Sequence, residues 1–455
     1  MQSAGTDTVV IKHLSAIVAI PVKNEAERII TCLKALAVQR DRCNRPIPAG
    51  TYGVVLVLNN CTDATAQVVD AIQEQLPYPL WVVQRELPPG RAHAGRARKL
   101  AMDAAADLLS MNSAHFRMIL TTDADGRVGS RWIDANLTTA RAGADLVAGF
   151  VRADRMEHAQ LPVTVIERGR LESRYEWLLS ELSARLDPEL HDPWPRHRMA
   201  SGASLGVTLA AYRRIGGLQP IPIGEDRALA ARVAATGGRI RHSLSAQVVV
   251  SCRLDGRAEG GMAATIRQRA LEPELACDPA LEPAVDLVRR VRWRAELRRR
   301  HRDGLLRSCT AWSSKLELGQ AEAGAAAELS HFGAVWASIE RCSPILAYRP
   351  LAPSQLAAQI ATARSLLAEL CGGRGLPKPL QDVDAIELGP VLMQDSRRPG
   401  RRRDEPLRSL IACQGIVGPA GPMHQDDVAS GLDGASGERG HALEIANAPV
   451  IDNLG

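Results

Sequence analysis

The stretch RMILTTDADG, residues 117–126, opens as an apolar run and closes on two carboxylates, Asp123 and Asp125. A short apolar run bounded by turn residues predicts a strand buried on both faces. Two carboxylates at the end of such a strand are costly to leave unpaired. A divalent cation that also holds phosphate oxygens would compensate them, since Mg²⁺ and similar hard ions bind through one or two carboxylates plus substrate phosphates. The plainer reading is an Asp-Gly turn.

The same pattern repeats on both sides. Ala16–Val22 (AIVAIPV), Gly53–Leu58 (GVVLVL) and Leu80–Gln84 (LWVVQ) precede Arg117–Thr122, and Asp145–Phe150 (DLVAGF) follows it. Asp63–Leu76 carries Val68, Ile72 and Leu76 at helical spacing. This alternation predicts an α/β fold with a mostly parallel sheet flanked by helices. Ligands in such sheets bind beyond the carboxyl ends of the strands. The residues after each strand are therefore the site candidates.

Pro21 is expected to stop strand pairing, leaving Asn24 and Glu25 at the sheet edge. Those two also read as a helix start with an acidic first turn. After the second strand comes NNCTDAT, residues 59–65, where Thr62 or Asp63 is a natural N-cap and the amides suit a base or ribose. After the third, residues 88–99 combine Gly90 and Gly95 with Arg91, Arg96 and Arg98. This is either a solvated basic loop or a diphosphate cradle, though it has no Walker spacing. Further on, Gly224-Glu225-Asp226-Arg227 opens a helix to about Ala235. Acidic residues suit a first turn, and a carboxylate at a cleft also suits a general base. Arg253 and Arg257 lie four residues apart among glycines, as a surface loop or as a clamp on a departing diphosphate.

Composition narrows the classes. The chain has 455 residues, 45% hydrophobic and 24% charged, which excludes a largely disordered or collagen-like protein and predicts two to three domains. Aromatics at 3% and a net charge of +5 argue against a nucleic-acid partner. Nine scattered cysteines without a CxxC pair argue against a zinc ribbon or thioredoxin-type site. The N-terminus lacks signal-peptide character and no run of 18 apolar residues exists, so the expected location is cytoplasmic. The basic run Asp286–Arg302 reads as a solvated helix face, or as peripheral contact with the inner face of a membrane. The expected divisions are 1–262, a helical region 263–372, and a loosely packed or disordered tail 373–455 that includes Arg397–Arg403 and Gly431–Gly440. Oligomeric state and acceptor are not legible; the acceptor pocket is expected around Val151–Met199, with Trp177 and Trp194 as stacking candidates.

Taken in order, IPVKNE (20–25), NNCTDAT (59–65), GRARKLAMDAA (95–105), TTDADG (121–126), SGASLGVTLAAYRRIGGL (201–218) and GEDRALAARV (224–233) resemble the family 2 glycosyltransferases of the GT-A fold. The resemblance spans about residues 14–262. It implies a nucleotide-sugar donor, a hydroxyl acceptor, a divalent metal (Mn or Mg) and single displacement with inversion. It implies that Pro21, Asn24, Glu25, Asn59 and Arg98 line the nucleotide pocket and that Asp123 and Asp125 form the metal and diphosphate site. It implies Asp226 as catalytic base, with Glu225 beside it toward the acceptor. Leu58 and Asn59 depart from the family's usual acidic residues, which leaves the base open. The QxxRW signature of processive synthases is absent. Two alternatives stay in view: a nucleotidyltransferase of similar αβ fold, whose Gly-rich loop after the first strand is missing, and a non-catalytic nucleotide-sugar-binding scaffold.

Overall fold

The computed structural model describes residues 14–111, 114–257, 260–308 and 310–372; the tail expected from 373 onward lies outside the described residues. β1 (Ala16–Val22) leads through α1 (Ile29–Ala37) to β2 (Tyr52–Asn59), α2 (Thr65–Gln73), β3 (Leu80–Arg85), α3 (Ala94–Ser110) and β4 (Met118–Thr121). Then come the short β5 (Arg127–Val128), α4 (Trp132–Arg141), β6 (Leu146–Ala153), the single turn α5 (Arg155–His158) and the long α6 (Val163–Leu186). β7 (Leu205–Thr208), α7 (Leu209–Arg214), α8 (Glu225–Ala235) and β8 (Ile240–Val250) complete the sheet region.

The strand order is β3-β2-β1-β4-β7-β6-β8-β5. β1, β2, β3 and β4 pair in parallel, and β6 is parallel to β8. β7 runs antiparallel between β4 and β6, and β5 runs antiparallel to β8. The sheet is therefore mixed, with its parallel half where the alternation of strand and helix is strongest. This is an α/β architecture, with helices on both faces of the sheet.

Side-chain alternation builds a core on each face. Ala16, Val18, Ile20 and Val22 of β1 and Val54, Leu56 and Leu58 of β2 join α1 and Trp132 of α4. Ile17 and Ala19 of β1 and Val55 and Val57 of β2 join Ala101, Met102 and Ala105 of α3 and Leu229 of α8. Small side chains on α3 let that helix lie close to the sheet. Pro21 does not stop the pairing as expected. β1 stays in register with β2 through Pro21 and Val22, whereas its pairing with β4 ends at Ala19. One side of β1 is thus free of ladder bonds at Pro21, the circumstance in which a strand tolerates proline.

The helical region continues with α9 (Met262–Leu271), α10 (Ala284–Arg302), α11 (Thr310–Ser313), α12 (Gln320–Ala327), α13 (Phe332–Cys342) and α14 (Leu356–Leu370). α6, α10 and α14 share an apolar core around Tyr175, Leu287 and Ile360. α13 docks directly on α8. A Cβ on Gly333 would lie 2.0 Å from the Ala234 carbonyl oxygen, so only glycine permits this approach. The basic face of α10 is occupied from within: Arg294 and Arg298 pair with Asp187 and Glu189, and Arg290 with Glu282 and Glu340. Among the described residues no helix is long and apolar enough to cross a membrane.

The segment between α6 and β7 is pinned by a buried polar cluster. Asp192 accepts from Arg241 at 3.0 Å and contacts His242 Nδ1 at 2.8 Å. His197 packs between the Phe150 and His242 rings. Its Nδ1 accepts from the Met199 amide at 3.2 Å and its Nε2 faces the Ala148 carbonyl at 3.2 Å, which assigns the proton to Nε2. Burial pushes His197 down to about 3. Trp177 and Trp194, half-buried, pack on each other at 4.7 Å between ring centroids.

Two outcomes follow from this packing. Gly333→Val should destabilise the protein by about 1–3 kcal/mol through overpacking against α8, read as a lower melting temperature. The unfolded chain protonates His197 near pH 6.5 while the folded chain does not until about 3, so its stabilising contribution is complete above pH 6.5 and shrinks as pH falls toward 3. His197→Gln should lose less stability between pH 7 and pH 5 than the parent in urea unfolding; equal losses would mean that other groups carry the acid sensitivity.

Candidate functional site

The carboxyl ends of β1, β2 and β4 lie side by side, and the predicted residues gather there. Asn24 and Asn60 both adopt left-handed backbone, φ +53° and +51°. Asn is one of the few residues that tolerates this region, and here it turns each chain back on itself at the strand end. Asn24 Oδ1 accepts from the Thr62 amide at 2.8 Å. The Glu25 amide donates to Thr65 Oγ1 at 2.8 Å and the Ala26 amide to Asp63 Oδ2 at 3.1 Å. Neither Thr62 nor Asp63 is the N-cap of α2. That position is Ala64, without a side-chain bond, and Asp63 instead joins the two strand-end loops. Asn59 is buried at 2% exposure, and its Oδ1 has no hydrogen-bond partner.

Arg98, on the second turn of α3, is buried at 5% exposure. Its Nε donates to Glu225 Oε1 at 3.0 Å and its Nη2 to Asp123 Oδ1 at 2.7 Å. Its Nη1 donates to Thr121 Oγ1 and to the Gly202 carbonyl, both at 2.9 Å. Glu225 is thus turned into the protein, against Arg98. Asp226 lies beside it, half-buried, at the start of α8. Its Oδ2 accepts from the Gly202 amide at 2.8 Å and its Oδ1 from the Arg227 amide at 2.7 Å. Gly224 before it has φ +80°, a left-handed turn that glycine makes without strain and that starts α8 abruptly.

A second guanidinium reaches the site from the loop after β8. Arg253 makes a two-point contact with Glu25, with Nη1 2.8 Å from Oε2, and its Nη2 is 3.2 Å from Asp125 Oδ2. Arg257, farther out, donates to the Asn24 carbonyl at 3.1 Å and to Asp255 at 2.8 Å. Glu157 of α5 anchors this loop: it accepts from Ser251 Oγ and the Cys252 amide, both at 2.7 Å, and from Arg28 at 2.6 Å. Glu157, Thr121 and Gly202 are participants the strand-end reading passed over. Thr121 and Gly202 stood inside quoted motifs, but Glu157 carried no sequence signal.

The electrostatics favour a cation. Glu25, Asp123, Asp125 and Glu225 share two guanidiniums, Arg98 and Arg253. Burial, with Asp123 and then Glu25 nearby and Arg253 opposing, pushes the Asp125 carboxyl up to about 6. Carboxylates in excess of their counter-charges fit a hard divalent ion. Among the described residues no group of three His, Cys, Asp or Glu side chains forms a metal cage. Asp123 and Asp125 would hold such an ion only together with oxygens from a ligand, as is usual for Mg²⁺.

Residues 17–199 match the model of the family described as "Glycosyl transferase family 2". The match runs from β1 past α6 and ends before α8. No curated protein matches the chain. Among solved structures, the chain is similar to Staphylococcus aureus TarS 1–349 in complex with UDP, at 14% identity and TM-score 0.39, covering 79% of this chain and 92% of that one. It is also similar to the mannosyltransferase PcManGT from Pyrobaculum calidifontis in complex with GDP-Man and Mn²⁺, at 16% identity and TM-score 0.39, covering 80% of this chain and 77% of that one.

Proposed function

We propose that this chain, whose residues 17–199 match the model of glycosyl transferase family 2, is a glycosyltransferase that moves a sugar from a nucleoside-diphosphate sugar to an acceptor hydroxyl by a single displacement with inversion. The observation that carries this reading is the excess of carboxylate over guanidinium at the end of β4, next to a carboxylate aligned by a backbone amide.

Each residue has a role in this reading. Asn24, with Pro21 and Glu25 in the same turn and the buried Asn59 behind them, shapes the nucleotide pocket. Asp123 and Asp125 would hold a divalent cation, Mn²⁺ or Mg²⁺, which when bound supplies charge neutralisation to the diphosphate leaving group. Arg253 exchanges Glu25 and Asp125 for phosphate oxygens as the donor arrives, and Arg257 follows on the same loop. Asp226 accepts the proton of the acceptor hydroxyl. The acceptor oxygen forms its bond to the anomeric carbon, the bond from that carbon to the diphosphate oxygen breaks, and the nucleoside diphosphate leaves with the electron pair. The Gly202 amide keeps the Asp226 carboxylate fixed while this occurs. One displacement with one base inverts the anomeric centre.

A panel of UDP-, GDP-, CMP-, dTDP- and ADP-linked sugars should yield one class that is consumed in a metal-dependent way. Asp226→Asn should lower that turnover by about 10²–10⁴-fold, the span of general-base catalysis, with nucleotide affinity unchanged. Near-normal turnover would remove the base assignment. Asp125→Ala should abolish the difference in nucleotide affinity between Mn²⁺ and EDTA; a difference that persists would remove Asp125 from the metal site.

A further inference from the structure

We propose that Arg98 is a positioning residue, a buried tether that fixes the Asp123 carboxylate relative to the first turn of α8, and not a ligand of the nucleotide. The inference rests on the transferase reading above and reassigns one residue that the resemblance puts in the nucleotide pocket.

Donor arithmetic supports it. A guanidinium has five N–H donors. Four are spent inside the protein, on Glu225, Thr121, the Gly202 carbonyl and Asp123. The side chain is buried, so little of it remains for a ligand. Its partners come from three separate segments: Thr121 and Asp123 at the end of β4, Gly202 before β7, and Glu225 at the start of α8. The planar fork sets their mutual geometry, which a lysine cannot do.

Gly202 extends the tether to the base. Its carbonyl accepts from Arg98 while its amide donates to Asp226. A Cβ at this position would lie 2.6 Å from the Arg98 Cζ, so the guanidinium lies flat against a residue without a side chain. Asp123, Arg98, Gly202 and Asp226 thus form one continuous chain of bonds. Asp123 contributes only Oδ1 to it and keeps 36% of its side chain exposed toward the cleft. Moving Arg98 therefore moves the diphosphate-side carboxylate and the base together.

The test uses Gly202→Ala, Arg98→Lys, Glu225→Gln and the Arg98→Lys/Glu225→Gln double variant of the full chain. Gly202→Ala keeps every charge and displaces only the guanidinium, so it remains informative if Arg98→Lys folds poorly. The readouts are calorimetric affinity for UDP, GDP, dTDP and ADP with Mn²⁺ and in EDTA, kcat on the donor the parent consumes, and thermal unfolding. The tether predicts unchanged nucleotide affinity in EDTA, a smaller gain on adding Mn²⁺ because Asp123 is displaced, and a kcat lower by about 10²-fold, the scale of an ångström of misplacement. It also predicts that the double variant loses no more than the worse single one in kcat and in melting temperature. Weakened nucleotide affinity with kcat intact would make Arg98 a direct ligand and overturn the inference. So would additive losses in the double variant. A parent chain that binds none of these nucleotides contradicts the transferase reading instead, and the additivity of the unfolding losses then decides the tether by itself.

Discussion

One buried cation, Arg98, ties together the segments that form the site. Arg98 has almost no access to water and is surrounded by groups that accept hydrogen bonds. A charge in that position is stable only if every partner is in place, and removing one partner costs far more than the pair contributes when intact. The constraint runs both ways. The end of β4, the loop before β7 and the start of α8 must converge for Arg98 to be satisfied, and their convergence is what brings Asp123 and Asp226 to one site. The remaining carboxylates, Asp125 and Glu25, lie on the far side of Asp123 and take their cation from the Arg253 loop. Arg98 and Arg253 are the two guanidiniums ion-paired with these carboxylates.

The helical region is attached to this arrangement at the opposite end of α8. Gly333 of α13 meets the backbone of Ala234, while Glu225 and Asp226 start the same helix. Arg294 and Arg298 of α10 pair with Asp187 and Glu189 of the segment after α6. The segment that carries Asp192 and His197 is held against β6 and β8 by the same kind of buried polar contact.

The fold was legible where hydrophobicity alternated over buried parallel strands, because β1, β2 and β4 are covered on both faces and read as continuous apolar runs. β7 was not, since Leu205–Thr208 is four residues long in a stretch of small side chains. β8 was hidden for a different reason: Arg241, His242 and Gln247 serve polar contacts at its half-buried positions, and Ser243 is buried. At the site, short-range chemistry was visible and long-range pairing was not. Asp123 and Asp125 announce themselves by position, whereas the Arg98–Glu225 and Arg253–Glu25 pairs join residues 127 and 228 positions apart. Local spacing left Arg98 between a solvated basic loop and a diphosphate cradle, and the family resemblance put it in the nucleotide pocket; only the tertiary fold reveals that four of its donors are already used.

The central claim is that the end of β4 is a diphosphate site completed by a cation. Isothermal titration of the full chain with nucleoside diphosphates, in Mn²⁺ and then in EDTA, addresses it most directly. The account predicts that one nucleotide binds saturably with Mn²⁺ and that EDTA weakens it sharply. Equal affinity in Mn²⁺ and EDTA, or no binding by any nucleotide, would contradict it.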